Sequence, residues 1–184
     1  MMQDLAMQVL EILMNSIQAG ARRIILTITD SVKQNLIRFV ITDNGKGMDE
    51  AMIQKVTDPF TTTRTTRRVG MGVAFMKGLT EQCNGTFRIT SKVGSGTTVE
   101  ASVQKDNIDT PPMGDLGEMM MDCIQADENI EFELTYATDS KQFVFQSSEI
   151  KEQLAGVSLL EPSILLWIKE YINQGIDQAK EDAR

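Results

Sequence analysis

Four short stretches constrain this chain more than its composition does: Glu11-Ile-Leu-Met-Asn15, Asp43-Asn-Gly-Lys-Gly-Met48, Gly70-Met-Gly72 and Gly94-Ser-Gly-Thr97. The first lies on the polar side of a predicted helix and the second where a predicted strand stops. The third opens a helix and the fourth makes a hairpin turn. A fold that holds all four must alternate helices with paired strands, and it must do so in this order.

The segment from Asp4 to Gly20 reads as a helix ended by glycine. Asp4, Gln8, Glu11, Asn15 and Gln18 share one face, and Leu5, Val9, Ile12 and Ile17 fall on the other. Arg23–Asp30 and Leu36–Thr42 have the β-branched composition of strands, joined by a turn at Lys33-Gln-Asn35. A short helix, Asp49–Val56, precedes a threonine- and arginine-rich segment, Asp58–Gly72, that has no apolar period and reads as a lid loop. A helix, Val73–Cys83, and a hairpin, Thr86–Ser91 with Thr97–Val103, follow.

The stretch Asp106–Asp115, with Pro111-Pro112, breaks the pattern and divides the chain into residues 1–105 and 106–184. The second part reads as a helix (Leu116–Gln125), a hairpin (Ile130–Ala137 with Gln142–Gln146) and a last helix from Pro162 to about Lys180. Leu165, Ile168, Ile172 and Ile176 recur at core spacing on that helix. Trp167, Tyr171 and Ile172 are read as core, with a partner surface as the alternative, and Met119-Met-Met121 as core or groove lining.

Charge is unevenly spread. Residues 1–105 hold 13 Lys/Arg against 9 Asp/Glu, a balance of +4, and residues 106–184 hold 5 against 17, a balance of −12. The basic part suits an anionic ligand; the acidic part suits a protein contact or simple solubility. The overall −8 speaks against a nucleic-acid binder, where phosphate contacts dominate. No stretch is long and apolar enough for a membrane helix, and two cysteines form no C-x-x-C motif, so a cytoplasmic protein is expected. The sequence holds no histidine, which excludes the usual catalytic dyads.

Taken together, the four stretches resemble the N box and glycine boxes of the Bergerat-fold (GHKL) ATPases, over about residues 4 to 104. That superfamily includes gyrase, the heat-shock chaperone ATPase, the mismatch-repair ATPase and the histidine kinases. The resemblance implies an α+β fold: a two-layer α/β sandwich with helices on one face of a mixed sheet, ATP between the helix layer and the lid, and a small α+β C-terminal extension. It implies that Asp43 reads the adenine amino group with Thr97 in support. Gly45 and Gly47 would let the backbone pass close to the base, and Met48 would pack on the ring. Asn15 matches the asparagine whose amide oxygen ligates Mg²⁺. Gly70, Met71 and Gly72 would offer backbone N–H groups to phosphate at a helix start. Phe60 looks like the F box of the kinase branch, and Arg64, with Arg67 and Arg68, either clamps the phosphates or is an ordinary exposed arginine.

The branch signals divide. Asn15-Ser-Ile-Gln-Ala-Gly-Ala21 is similar to the gyrase and mismatch-repair pattern, in which a glutamate at the Glu11 position is the catalytic base; Gln18 replaces an aspartate there. Glu11 is read either in that role or as a solvated helix residue. Gly70–Val99 is similar to the kinase branch, with Lys77, Asn84-Gly85 and Gly94-x-Gly-Thr-Thr, although Arg68 stands for a glycine and Cys83 for a histidine. Without a histidine the chain cannot phosphorylate itself on one. The expected function is therefore a Mg-ATP-binding kinase module with a separate protein phosphoacceptor. The alternatives are an ATP-hydrolysing switch and a non-catalytic ATP sensor. A homodimer is compatible with each. The family's N-terminal strand is not visible, and a C-terminal strand is expected to fill its place.

Overall fold

The structure is a computed structural model that describes residues 4–58 and 71–181. Most of the expected lid lies outside the described residues, and with it Phe60, Arg64, Arg67, Arg68 and Gly70. The described elements run α1 (Leu5–Gln18), β1 (Arg23–Ser31), β2 (Leu36–Asp43), α2 (Glu50–Thr57), α3 (Met71–Gln82), β3 (Thr86–Lys92) and β4 (Gly96–Gln104). They continue with α4 (Leu116–Ala126), β5 (Glu131–Ala137), β6 (Gln142–Gln146), α5 (Ser147–Gln153) and α6 (Pro162–Glu181).

One six-stranded sheet, in the order β3-β4-β2-β1-β5-β6, organises all of them. Neighbours are antiparallel except β1 and β5, which run parallel. The α+β expectation holds, and a C-terminal strand does join the sheet, beside β1. The segment 106–115 is a strap: the carbonyls of Pro112 and Met113 accept from the N–H groups of Leu5 and Ala6 at 2.9 and 2.8 Å. It thereby satisfies helix-end donors that have no intrahelical partner. Asp4 caps the same end, accepting from Met7 N at 2.9 Å.

Register turns the alternation within each strand into rows across the sheet. One row reads Phe143, Tyr136, Ile28, Phe39, Ala101, Phe87, and the next reads Phe145, Leu134, Leu26, Ile41, Val99, Ile89. Both are apolar throughout and face the helix layer, where α1 touches α3 and α4, and α4 touches α6. Each such side chain, once buried, contributes roughly 1.5–3 kcal/mol. The third row starts apolar with Phe132 and Ile24 and then turns polar: Asp43, Thr97, Ser91. There the helix layer stops covering the sheet and a cleft opens.

Two expectations needed correction in the C-terminal part. Helix α5 follows β6 directly and was not foreseen. Trp167 and Tyr171 are not core: they are 46% and 39% exposed, whereas Ile172 is fully buried. The inner side of α6 is taken by Leu165, Ile168, Ile172 and Ile176, and its α4 side by Lys169 and Asn173, which bond Glu118 and Asp115. No inward position remains for the two rings. Met119 and Met120 are core, as read.

Candidate functional site

The cleft encloses about 590 Å³, within the range of small-molecule sites. Its floor is the polar end of the third row, and its walls come from four directions: Ile12 and Asn15 on α1, Ile41 on β2, Ile89 and Val99 on the β3–β4 hairpin, and Val73 on α3. Met52 and Val56 of α2 close the side, and Met48 and Lys46 form the lip. Apolar area dominates this lining, with polar groups confined to a few positions.

Among the described residues Asp43 is the one carboxylate of the lining, 7% exposed at the end of β2. Its Oδ2 accepts from Ser16 Oγ at 2.7 Å and its Oδ1 from Gly45 N at 2.8 Å. A carboxylate has about four lone-pair sites, so these bonds aim the group and leave acceptor capacity toward the cleft. Ser16 belongs to the N-box stretch, where the sequence assigns it no role. Its signal was faint, because its partner lies on another element and only the fold brings the two together.

Thr97 sits opposite Asp43 in the β2–β4 register, and its hydroxyl meets Ser91 Oγ at 2.9 Å. Ser91 Oγ also accepts from Met48 N at 2.8 Å and donates to Gly96 O at 2.9 Å. This one hydroxyl ties the loop after β2 to the β3–β4 turn. The glycines follow the same logic. A Cβ on Gly47 (φ +66) would lie 2.0 Å from Lys92 O, and one on Gly96 (φ +94) would lie 1.9 Å from Asp43 O. Backbone crowding at the hairpin therefore demands Gly47 by itself, in addition to the close approach to a base that the resemblance implies. Gly45 lies under Asp43, where a Cβ would meet Ala19 and Asp43 Oδ1 at 3.0 Å.

Of the sequence-derived candidates, Asn15, Asp43, Gly47, Met48 and Thr97 line the cleft, and Gly45 supports it from below. Glu11, Met71 and Gly72 gather beside it, outside the lining, where α1 meets the start of α3. A Cβ on Gly72 would come within 2.7 Å of Glu11 Cβ, so this glycine lets the first turn of α3 lie directly on Glu11. Glu11 itself is exposed. Among the described residues no group of three His, Cys, Asp or Glu side chains gathers to hold a metal ion. A cation here would need most of its ligands from a bound molecule and water, with the Asn15 amide as an oxygen donor in the lining.

Residues 3–107 match the family model described as histidine kinase-, DNA gyrase B- and HSP90-like ATPase. Among curated proteins the chain is similar to the sensor histidine kinase ZraS of Escherichia coli (strain K12), with 29% identity over 89 residues, 48% of this chain and 19% of that protein. It is also similar to the tetrathionate sensor histidine kinase TtrS of Salmonella typhimurium, with 34% identity over 100 residues, 52% of this chain and 16% of the kinase. The chain thus spans less than a fifth of either relative. Among solved structures, the Aquifex aeolicus MutL ATPase domain complexed with ADP aligns with a TM-score of 0.50 and 18% identity, covering 84% of this chain and 68% of that one. The N-terminal domain of a DNA repair protein gives 0.51 and 19%, covering 78% and 52%. At such identities the structural likeness is one of fold.

Proposed function

Because this chain belongs to the histidine kinase-, DNA gyrase B- and HSP90-like ATPase family, we propose that its cleft binds Mg-ATP and that the chain passes the γ-phosphoryl group to a separate protein. The observation that carries the binding step is Asp43: an aimed, acceptor-only carboxylate on the floor of an otherwise largely apolar slot. A flat ring that donates one hydrogen bond suits it. Adenine offers an exocyclic amino group there; guanine presents a carbonyl oxygen at that position, which the carboxylate repels. Met48 and Ile89 would cover the ring, with Thr97 and Ser16 holding Asp43 and its surroundings in place.

Asn15 would hold the magnesium ion through its amide oxygen. A bound ion supplies charge neutralisation for the phosphates. Glu11, Met71 and Gly72 mark the neighbouring start of α3, where helix-end N–H groups favour phosphate oxygens. Two facts support transfer to another protein. The relatives ZraS and TtrS are sensor histidine kinases, and these 184 residues contain no histidine to accept the group.

A second reading, an ATP-hydrolysing switch with Glu11 as general base, is favoured by the contact of Glu11 with the first turn of α3. Calorimetry and γ-labelled ATP separate the possibilities. ATP should bind in Mg²⁺ and GTP should not, and Asp43→Asn should weaken binding about 100-fold. Unchanged affinity in that variant would remove Asp43 from the site. Label arriving on a partner protein supports the kinase reading. Free phosphate that falls about 10²–10⁴-fold in Glu11→Ala supports the switch. Binding without either outcome would leave a sensor.

A further inference from the structure

The two edges of the sheet are unlike. β3 ends one side with exposed Arg88 and Lys92, the kind of charge that discourages an edge strand from pairing with another chain. β6 ends the other side as Gln142-Phe143-Val144-Phe145-Gln146, with no charge, no proline and no glycine. The same five residues read identically in both directions. Antiparallel strands set opposed residues on the same face. Pairing about Val144 would therefore match Val144 with its own copy, Phe143 with Phe145, and Gln142 with Gln146. A two-fold contact sets residue i against j and j against i, and here each such pair is matched in size and carries no charge.

The flank of α6 beside this edge is mostly aromatic and amide, with the exposed Glu170 at its rim. Trp167 and Tyr171 stack with ring centroids 5.1 Å apart and 13° between their planes, and Tyr171 meets Phe143 edge-on at 5.6 Å. One turn further, Gly175 makes room for the strand: a Cβ there would sit 2.2 Å from the Phe143 ring. Gln174 and Gln178 complete the flank, while Lys169 is turned toward Glu118 and Asp115 of the α4 side. An aromatic ridge thus runs from exposed helix surface onto an unguarded strand edge. Exposed Trp and Tyr are enriched among residues that carry association energy.

We propose that β6 and the Trp167–Tyr171 flank of α6 form a self-association surface. Two copies join β6 to β6 antiparallel about Val144, making one continuous sheet of twice six strands. A second copy is the occupant this edge fits: like residues of equal size meet with no like charges opposed, and each pair off the axis occurs twice. A five-residue ladder with one aromatic ridge per copy is a small interface, so the dimer is reversible and depends on concentration.

Sedimentation velocity on the full chain over a wide concentration series tests this without reference to nucleotide. The wild type should pass from monomer to dimer. Val144→Lys and Val144→Glu should each stay monomeric, since like charges meet on the two-fold axis, and an equimolar mixture of the two should regain the dimer. Val144 is 41% exposed, so both variants should keep the wild-type circular dichroism. Trp167→Ala should weaken association by about tenfold, and Thr90→Lys, on the opposite edge, should leave it unchanged. A wild type that stays monomeric, a Val144→Lys protein that dimerises normally, or a mixture that stays monomeric would each overturn the proposal.

Discussion

The two ends of the single sheet use carboxylates in opposite ways. Toward the C-terminal strands, Asp139 accepts from Ser31 Oγ, Val32 N and Lys33 N at 2.5, 2.8 and 3.0 Å, clipping the β5–β6 turn onto the β1–β2 turn. Glu128 accepts from Ser158 Oγ and Leu159 N at 2.8 and 2.9 Å. Asp115 takes Glu118 N and Asn173 Nδ2, both at 2.8 Å, and so fastens α4 to α6. At the cleft, Asp43 has two bonds from one side and an open slot on the other. What sets Asp43 apart is not the number of its donors but the largely apolar cleft it lines, where its remaining acceptor capacity is available to a ligand.

That contrast sets how substitutions should divide. The largest effect is expected at the junction itself. Gly96→Ala would drive a Cβ into Asp43 O at a left-handed φ of +94, costing about 3–4 kcal/mol and the cleft with it; a thermal melt and nucleotide titration would register both losses. Asp43→Asn should reduce nucleotide affinity about 100-fold while moving the melt little. If it unfolds the protein instead, the distinction between aimed and structural carboxylates fails.

The converse change lies at the far end. Ser147 is fully buried and accepts from Phe132 N at 2.9 Å. Ser147→Ala leaves that N–H without an acceptor and should cost about 1–3 kcal/mol, with nucleotide affinity unchanged. An affinity that follows the stability would show that the two ends act as one unit.

The smallest effect is a pH dependence. The Ser31 hydroxyl and then the Lys33 N–H hold Asp139 below the ordinary carboxylate range, and Asn35 and Gln104 do the same for Asp106. Such groups add stability above their unfolded pKa and lose it as pH falls through the lower folded value. The urea midpoint should therefore drop below about pH 4, and Asp139→Asn should flatten part of that drop. An identical pH profile in the variant would detach Asp139 from acid stability.

Much of this molecule was legible before its fold was known. The period of α1 exposed its polar face, and the β-branched composition of Arg23–Asp30 and Leu36–Thr42 marked the strands that run Arg23–Ser31 and Leu36–Asp43. The glycine stretches carried the family resemblance, because close backbone approaches and positive φ admit few other residues. The buried side of α6 was read correctly from Leu165, Ile168, Ile172 and Ile176. These are local signals, written within a few turns or a single strand.

What tertiary structure alone decided depends on distant register. Ser16 reaches Asp43 across 27 positions, and Thr97 faces Asp43 only because β2 and β4 pair as they do. The reason for Gly47 lies in the Lys92 carbonyl on another hairpin. Trp167 and Tyr171 have the composition of core, yet stay outside because the inner positions of their helix were already filled. Periodicity says which face of an element is apolar; it cannot say which faces find a neighbour, since that is set by strand order and by the volume each layer has left to fill.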